Sequence, residues 1–404
     1  SIKEAYESAN RTQQVIDFED MITLASESVR SGRYASPYRY ILIDEFQDIS
    51  PGRSELVRAL QDAVPDCAVY AVGDDWQSIY RFAGSDIGAM TQFSAQFWPA
   101  RRVFLDQTFR FDNRIAEVSR KFILRNSVQI EKTLKPIRHS PTPSVVLYLR
   151  PGGESPLEWS LGQIDQLAQE GASVLILERY RHHLPSPSDL RECRRRFPRL
   201  RCTAMSIHAS KGLEADFVVV GLRGGFWGFP SQLVDDALLE LVLTQADEYP
   251  HGEERRLFYV AVTRARFRSF LVADTAEDLS VFTQELMRDY AGEVEIAGSP
   301  WFRSCRRCPS GILKLQGTSR RLLTCTNQPA CSHSVPVCPK CRHGVLERGV
   351  TKQWHCSACG ETHPPCARCV SGILQRRQGP YGEFLGCSNY SDAQIQCRYK
   401  QRPL

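Results

Sequence analysis

No run of about eighteen apolar residues occurs in the 404-residue chain, which excludes a membrane-spanning helix of ordinary length. The start lacks a basic-then-apolar leader, so no secretory signal is expected. The chain opens on Ser1 rather than Met, which predicts that the natural polypeptide begins further upstream. No Gly-x-x-x-x-Gly-Lys-Ser/Thr segment is present, and Lys211-Gly212 stands in the wrong order and context. A glycine loop that cradles phosphates is therefore missing from these residues. No cluster of acids of the nuclease kind follows residue 266, which leaves nucleolytic chemistry unsupported. What is present is ordinary for a globular protein, with 42% hydrophobic residues, enough for a sizeable core. The length suggests two or three domains.

Charge is unevenly spread. Residues 301–404 carry 16 Lys+Arg against 4 Asp+Glu, a balance of +12, while residues 1–300 carry −7. A basic tail on a mildly acidic body points to a polyanion as partner for the tail. Cysteine is concentrated there too: 12 of the 15 lie between Cys305 and Cys397. Their spacing gives three sets of four: Cys305, Cys308, Cys325 and Cys331; Cys338, Cys341, Cys356 and Cys359; Cys366, Cys369, Cys387 and Cys397. Each set opens on Cys-x-x-Cys, which places two thiolates on one side of a tetrahedral ion for a later pair to enclose, so Zn²⁺ is the expected ligand. His333 could replace Cys331 in the first set. The rival reading is a disulfide framework, which needs an oxidising compartment. Cys67, Cys193 and Cys202 read as ordinary core or surface residues.

Residues 40–48 read Tyr-Ile-Leu-Ile-Asp-Glu-Phe-Gln-Asp. The apolar run suits a central strand of a parallel sheet, and ligands bind beyond the carboxyl ends of such strands. Asp44 and Glu45 stand at that end, where one carboxylate can hold Mg²⁺ and the other can act on a water. Two solvated acids after a strand is the plainer alternative. Four more segments follow in order: Gly-Asp-Asp-Trp-Gln-Ser-Ile-Tyr-Arg-Phe at 73–82, Leu-Asp-Gln-Thr-Phe-Arg-Phe-Asp-Asn at 105–113, Met-Ser-Ile-His-Ala-Ser-Lys-Gly-Leu-Glu at 205–214, and Glu-Glu-Arg-Arg-Leu-Phe-Tyr-Val-Ala-Val-Thr-Arg-Ala-Arg at 253–266.

In this order the five segments resemble motifs II to VI of superfamily 1 DNA helicases of the UvrD/Rep kind, with wording nearest the helicase IV branch. The resemblance spans roughly residues 14–275, and five ordered motifs are far more specific than any one. It implies an ATP-dependent helicase that moves 3′ to 5′ on single-stranded DNA, acting on single-stranded or partly duplex DNA in the bacterial cytoplasm, with no membrane role and with DNA-repair or replication proteins as partners. ATP, Mg²⁺ and Zn²⁺ are the implied cofactors. By the same resemblance, Asp44 holds Mg²⁺, Glu45 acts on the attacking water, and Gln77 reports the γ-phosphate to the DNA side. Arg110 and Arg264 supply positive charge to that phosphate, Phe109 stacks on the adenine, and Glu214 binds the ribose with Gly212 admitting close backbone. For each arginine alone, a surface ion pair is the commoner fate. Tyr80, Phe82 and His208 are the implied DNA contacts, since aromatic faces accept any base; burial in a core is the alternative for the two aromatics. The third cysteine set resembles the zinc fingers that end bacterial type I topoisomerases.

The implied fold is α/β: RecA-like parallel-sheet motor lobes, the first incomplete, followed by small zinc-ribbon modules. Domain bounds are expected at 1–106 for the first lobe, 107–290 for the second, 291–303 for a linker and 304–404 for three metal modules. Residues 1–36 read as helical, strands are expected near 40–43, 68–72, 103–105, 145–149, 174–177, 217–221 and 269–273, and helices at 53–63 and 113–125. Proline-rich breaks at 136–143 and 184–187 read as surface loops. The tail offers Arg306, Arg307, Arg320, Arg321, Arg376 and Arg377 interleaved with Trp354, Tyr381, Phe384 and Tyr390, a pattern suited to phosphates and exposed bases; capping of tiny cores and protein binding are the alternative. Three departures from the family stand out. Phe82 and Ala83 occupy places where many relatives carry Trp and Arg. Only about ninety residues separate motifs IV and V, so the regulatory subdomain of larger relatives is expected to be absent or reduced. The missing phosphate loop leaves open a non-catalytic DNA-binding scaffold with a degenerate helicase fold.

Overall fold

The computed structural model describes residues 2–150, 155–233, 249–274, 279–290, 292–298, 303–305, 307–308, 311–315, 322–341, 345–349, 353–357, 359–369, 372–380, 382–391 and 396–402. Arg306, Arg320, Arg321 and Tyr381, named above, lie outside the described residues, as does part of the expected linker. The chain forms two compact units, residues 1–146 with 157–272, and residues 147–156 with 273–404. No described helix is long and apolar enough to cross a membrane.

The first unit opens with α1 (Ile2–Gln13) and α2 (Phe18–Arg30). Asp17 starts α2 with a reciprocal cap: its carboxylate accepts from the Asp20 N–H, and the Asp20 carboxylate accepts from its own N–H, which satisfies two otherwise orphaned donors. Strand β1 (Tyr40–Ile43), α3 (Pro51–Asp62) and β2 (Ala68–Ala71) follow. α3 begins where Ser50 caps the Arg53 N–H and Pro51 fills the first helical position, a site where proline loses no hydrogen bond. β1 pairs in parallel with β2, Tyr40 opposite Ala68 and Ile43 opposite Ala71. Among the described residues β1 pairs with β2 alone. The two-residue period divides its apolar run. Ile43 packs with Val69 and Ala71 on Phe46, Ile49, Ala89 and Phe97, while Tyr40 and Leu42 face outward, each 74% exposed.

Helices α4 (Ile87–Thr91) and α5 (Phe93–Gln96) lead to β3 (Gln107–Asp112), α6 (Asn113–Ile123) and β4 (Lys135–Arg138). The expected strand at 103–105 does not form. Val103, Phe104 and Leu105 are exposed and irregular, and regular backbone begins only at Gln107, where β3 finds β4. Pro136, expected in a loop, sits in β4 opposite Thr108. Proline is tolerated there because a two-stranded ribbon has only edge strands. Asp112 caps α6, accepting from Arg114 N at 3.0 Å and Ile115 N at 2.9 Å. Asp112→Ala is expected to cost about 1–2 kcal/mol, read as a lower urea midpoint with unchanged slope.

Next come β5 (Val145–Arg150), α7 (Pro156–Leu167), β6 (Ala172–Glu178), α8 (Pro187–Arg196), β7 (Leu200–Ser206), β8 (Ala215–Gly221), α9 (Gly252–Val262) and β9 (Ala265–Asp274). In a six-stranded sheet, β9, β8, β6 and β7 lie side by side in that order, and all of their pairings are parallel. This parallel sheet between helices is the α/β fold read from the sequence. Its strands are buried on both faces, as Val174 to Leu177 and Phe217 to Val220 show, which explains their unbroken apolar runs. α6 and α9 meet through Phe122 and Phe258, with ring centroids 4.1 Å apart.

The second unit adds α10 (Val281–Asp289), β10 (Glu295–Gly298) and three small antiparallel sheets. These are β11 (Arg303–Ser304) to β14 (Ser334–Pro336) through β12 (Ile312–Leu315) and β13 (Leu322–Cys325); β15 (Leu346–Arg348) to β17 (Thr362–His363) through β16 (Trp354–Cys356); and β18 (Leu374–Gly379) to β20 (Lys400–Gln401) through β19 (Gly382–Cys387). One set of four cysteines belongs to each sheet.

Candidate functional site

Asp44 and Glu45 follow β1 directly, and both are exposed. Glu45 adopts φ +51°, a left-handed conformation that turns the chain sharply at the strand end. Phe46 and Gln47, next in line, are buried. Gln47 joins the two strand ends: its Nε2 donates to Glu45 Oε2 at 2.5 Å, and its Oε1 accepts from Asp74 N at 2.9 Å. Asp74 then accepts from Gln77 Nε2 at 2.7 Å, and Gln77 Oε1 accepts from Arg264 Nη2 at 3.3 Å. One hydrogen-bond chain thus runs from Glu45 to Arg264, at the carboxyl end of α9. Arg264 is fully buried, with its other donors on the Val260 and Leu213 carbonyls at 3.0 and 3.1 Å. Burial, with Arg110 nearby, lowers its pKa to about 10, still a cation at neutral pH.

Beyond this chain lies an open cleft of about 650 Å³ whose lining includes Asp74, Gln77, Phe109, Arg110, Glu214 and Arg266. Phe109 is 67% exposed. Arg110 Nε donates to Glu214 Oε2 at 3.2 Å, and Arg266 holds the other oxygen of the same carboxylate. Arg266 above all, helped by Arg110, holds Glu214 below the usual carboxylate range against the opposing effect of burial. Gly212 has φ +83° and open space around it, so in this structure backbone conformation accounts for the glycine.

Tyr80, Phe82 and His208 form one cluster. Ring centroids are 5.9 Å apart for Tyr80–Phe82, 6.3 Å for Tyr80–His208 and 5.5 Å for Phe82–His208. Tyr80 is half-buried, with its hydroxyl donating to the His208 carbonyl at 3.2 Å, while Phe82 is 64% exposed. Burial, and secondarily Arg179, pushes the His208 pKa down to about 4, so its imidazole stays neutral from about pH 5 upward. Its contribution to stability is whole above the unfolded pKa near 6.5 and is lost as pH falls toward 4.

Several residues that hold this site were not singled out from sequence. Lys211 Nζ donates to the Asp48 carboxylate and to Gln77 O at 3.0 Å, lies 3.6 Å from Glu45 Oε2, and sits 5.0 Å from the Tyr80 ring centre. Lys132 pairs with both Asp74 and Asp75. Arg256 is buried and donates to Ser78 O, and the Arg81 N–H donates to Glu253 at 3.1 Å. α9 thereby fastens the 78–82 segment.

In the tail, each cysteine set gathers into one cluster with all four sulfurs within 4.8 Å of one another. Nearest pairs measure 3.7 and 3.5 Å in the first, 3.9 and 3.6 Å in the second, and 3.7 and 3.5 Å in the third. A tetrahedral ion with thiolate bonds near 2.3 Å requires separations of about 3.8 Å, so the donor sets fit a zinc-sized cation, and none of the cysteines is paired in a disulfide. Cys331, not His333, completes the first cluster. Backbone N–H groups of Arg307, Asn327, Cys359 and Asn389 each point at a sulfur from 3.4 Å. Cys67, Cys193 and Cys202 are buried outside these clusters.

Comparison with known proteins finds similarity over two segments of the chain. Residues 1–98 match the UvrD/REP helicase N-terminal domain, and residues 189–275 match the UvrD-like helicase C-terminal domain. DNA helicase IV of Escherichia coli is 40% identical over 265 residues, 65% of this chain and 38% of that protein. A probable DNA helicase of Mycoplasma pneumoniae is 27% identical over 290 residues, 69% of this chain and 52% of that protein. The Rep helicase of Escherichia coli is 33% identical over 135 residues, 32% of this chain and 20% of that protein. The chain therefore spans about half or less of the length of these relatives. Over the two matched segments the chain is similar to the N- and C-terminal domains of UvrD/Rep helicases.

Proposed function

We propose that the protein is an ATP-dependent DNA helicase that moves 3′ to 5′ along single-stranded DNA, with the phosphate-gripping loop that these 404 residues lack supplied elsewhere in the natural polypeptide. The observation that carries this reading is the continuous hydrogen-bond chain from Glu45 through Gln47, Asp74 and Gln77 to Arg264. It joins a strand-end carboxylate to a cation just past the carboxyl end of α9, and such a link lets the state of a nucleotide be felt by the elements that hold DNA.

In this reading residues 1–106 and 107–290 are the two lobes, 291–303 the linker and 304–404 the metal modules. Asp44 holds Mg²⁺, which when bound neutralises phosphate charge, and Glu45 orients the attacking water. Arg110 and Arg264 stabilise charge on the transferred group. Phe109 offers its exposed face to adenine and Glu214 its carboxylate to the ribose, while Tyr80, Phe82 and His208 stack on bases. Each cysteine cluster holds one Zn²⁺, and the basic tail gives the enzyme a second hold on DNA. Gln77→Ala in the full-length protein tests the relay. Stimulation of ATP turnover by single-stranded DNA should fall about tenfold or more, with DNA affinity within about twofold of the parent. Unchanged stimulation would refute the coupling.

A further inference from the structure

We propose that Tyr180, His182, Phe226 and Trp227 form a second stacking platform that takes unpaired bases of single-stranded nucleic acid. This rests on the reading above, in which Tyr80, Phe82 and His208 stack on the bases of single-stranded DNA.

The platform is built on neighbouring strands. β7, β6 and β8 lie side by side. His208 follows β7, Tyr180 to His183 follow β6, and the segment 222–232 follows β8, so the new cluster occupies the same sheet end as His208. Tyr180 and His182 are stacked, with centroids 5.4 Å apart and planes 20° from parallel. Trp227 meets both edge-on, at 5.2 Å and 5.3 Å, and Phe226 meets Trp227 at 5.5 Å.

These rings are held firmly yet left open. Phe226 is 54% exposed and Trp227 48%, whereas large aromatics are usually well buried. Their loop closes through Gly228 N to Gly225 O at 3.0 Å and Phe229 N to Arg223 O at 2.8 Å, with Phe229 itself buried. A Cβ at Gly228 would lie 2.7 Å from the Arg223 and Gly225 carbonyl oxygens, so the turn admits only glycine without rearrangement. The Tyr180 hydroxyl bonds Ser231 Oγ at 2.6 Å. Glu254 on α9 accepts from Arg179 Nε at 2.8 Å and from Ser231 N at 3.0 Å, tying the two loops to one carboxylate. Rigid, exposed rings lose little entropy on binding.

The charge around them favours a polyanion. Arg181 is exposed between Tyr180 and His182. Arg223, at the base of the second loop, keeps 45% of its side chain exposed while pairing with Glu178 at 3.4 Å. Aromatic faces interleaved with guanidinium groups are the pattern that holds stacked bases beside phosphates.

The test is anisotropy titration of the 404-residue chain with an oligothymidylate and with an oligonucleotide of equal length made of abasic sites. Trp227→Ala should weaken oligothymidylate binding about fivefold or more, leave abasic binding unchanged, and be largely rescued in Trp227→Phe. Phe82→Ala serves as the reference for the first cluster. If Phe82→Ala weakens binding and Trp227→Ala does not, the platform is overturned, the single-stranded DNA reading stands, and protein docking becomes the use of the patch. Equal weakening on both oligonucleotides overturns base stacking by Trp227, because a loop or phosphate effect then explains the loss. If the parent chain binds neither oligonucleotide, the DNA reading itself falls and the platform with it.

Discussion

In the full-length protein, Glu45→Gln is expected to lower DNA-stimulated ATP turnover at least about a hundredfold while single-stranded DNA affinity stays within about twofold. The amide keeps the size of the carboxylate, and its oxygen can still accept from Gln47 Nε2. It lacks the charge and basicity needed to orient and activate water. The fold should tolerate the change, because the Glu45 side chain is 63% exposed and its Lys211 partner is 3.6 Å away. Lys211 also keeps its bonds to the Asp48 carboxylate and to Gln77 O, so it is not left without a partner. Tyr80, Phe82 and His208 belong to other segments, so DNA binding should survive. A variant that turns over ATP near the parent rate would remove Glu45 from the proposed chemistry. One that also loses DNA binding would mean that the strand end shapes the DNA site rather than the reaction.

Much of this was legible because the signal is local. An apolar run that ends in two acids announces a strand and its carboxyl end, and Cys-x-x-Cys turns announce a shared ligand within four residues. What stayed hidden depends on partners far apart in the chain. Lys211 was dismissed as a misplaced phosphate-loop lysine, yet its ammonium reaches Asp48, 163 residues away. Gln47 bonds Asp74 across 27 residues, and Arg264 reaches Gln77 across 187. Nothing in either neighbourhood specifies such pairs. Val103 to Leu105 misled for the opposite reason: their composition favours a strand, but a strand needs a ladder partner, and here only Gln107 onward finds one.

The purified chain is expected to carry about three zinc ions, and stripping them should unfold the tail sheets while the first unit keeps its own transition. The tail has little else to hold it. The buried cluster of the second module is Cys338, Leu346, Cys356 and Ile373, and that of the third is Cys366, Leu374, Cys387 and Cys397. Half of the first of these clusters and three of the four residues of the other are ligands, and the two aliphatics of the one and the single leucine of the other supply only a few kcal/mol by transfer at about 1.5–3 kcal/mol apiece. A structural zinc site contributes on the order of 10–16 kcal/mol, so the metal decides whether these modules fold. Gly311 makes the claim specific to one site. A Cβ there would lie 2.6 Å from Cys308 Sγ and closer still to Cys325 Sγ, intruding on two donors at once. Gly311→Ala should therefore drop the metal content from about three to about two zinc ions per chain. Metal analysis with thiol titration checks both outcomes. Twelve oxidised thiols and no metal would establish the disulfide framework instead, although a disulfide brings its sulfurs to about 2.05 Å, far inside the 3.5–3.9 Å separations of the nearest pairs.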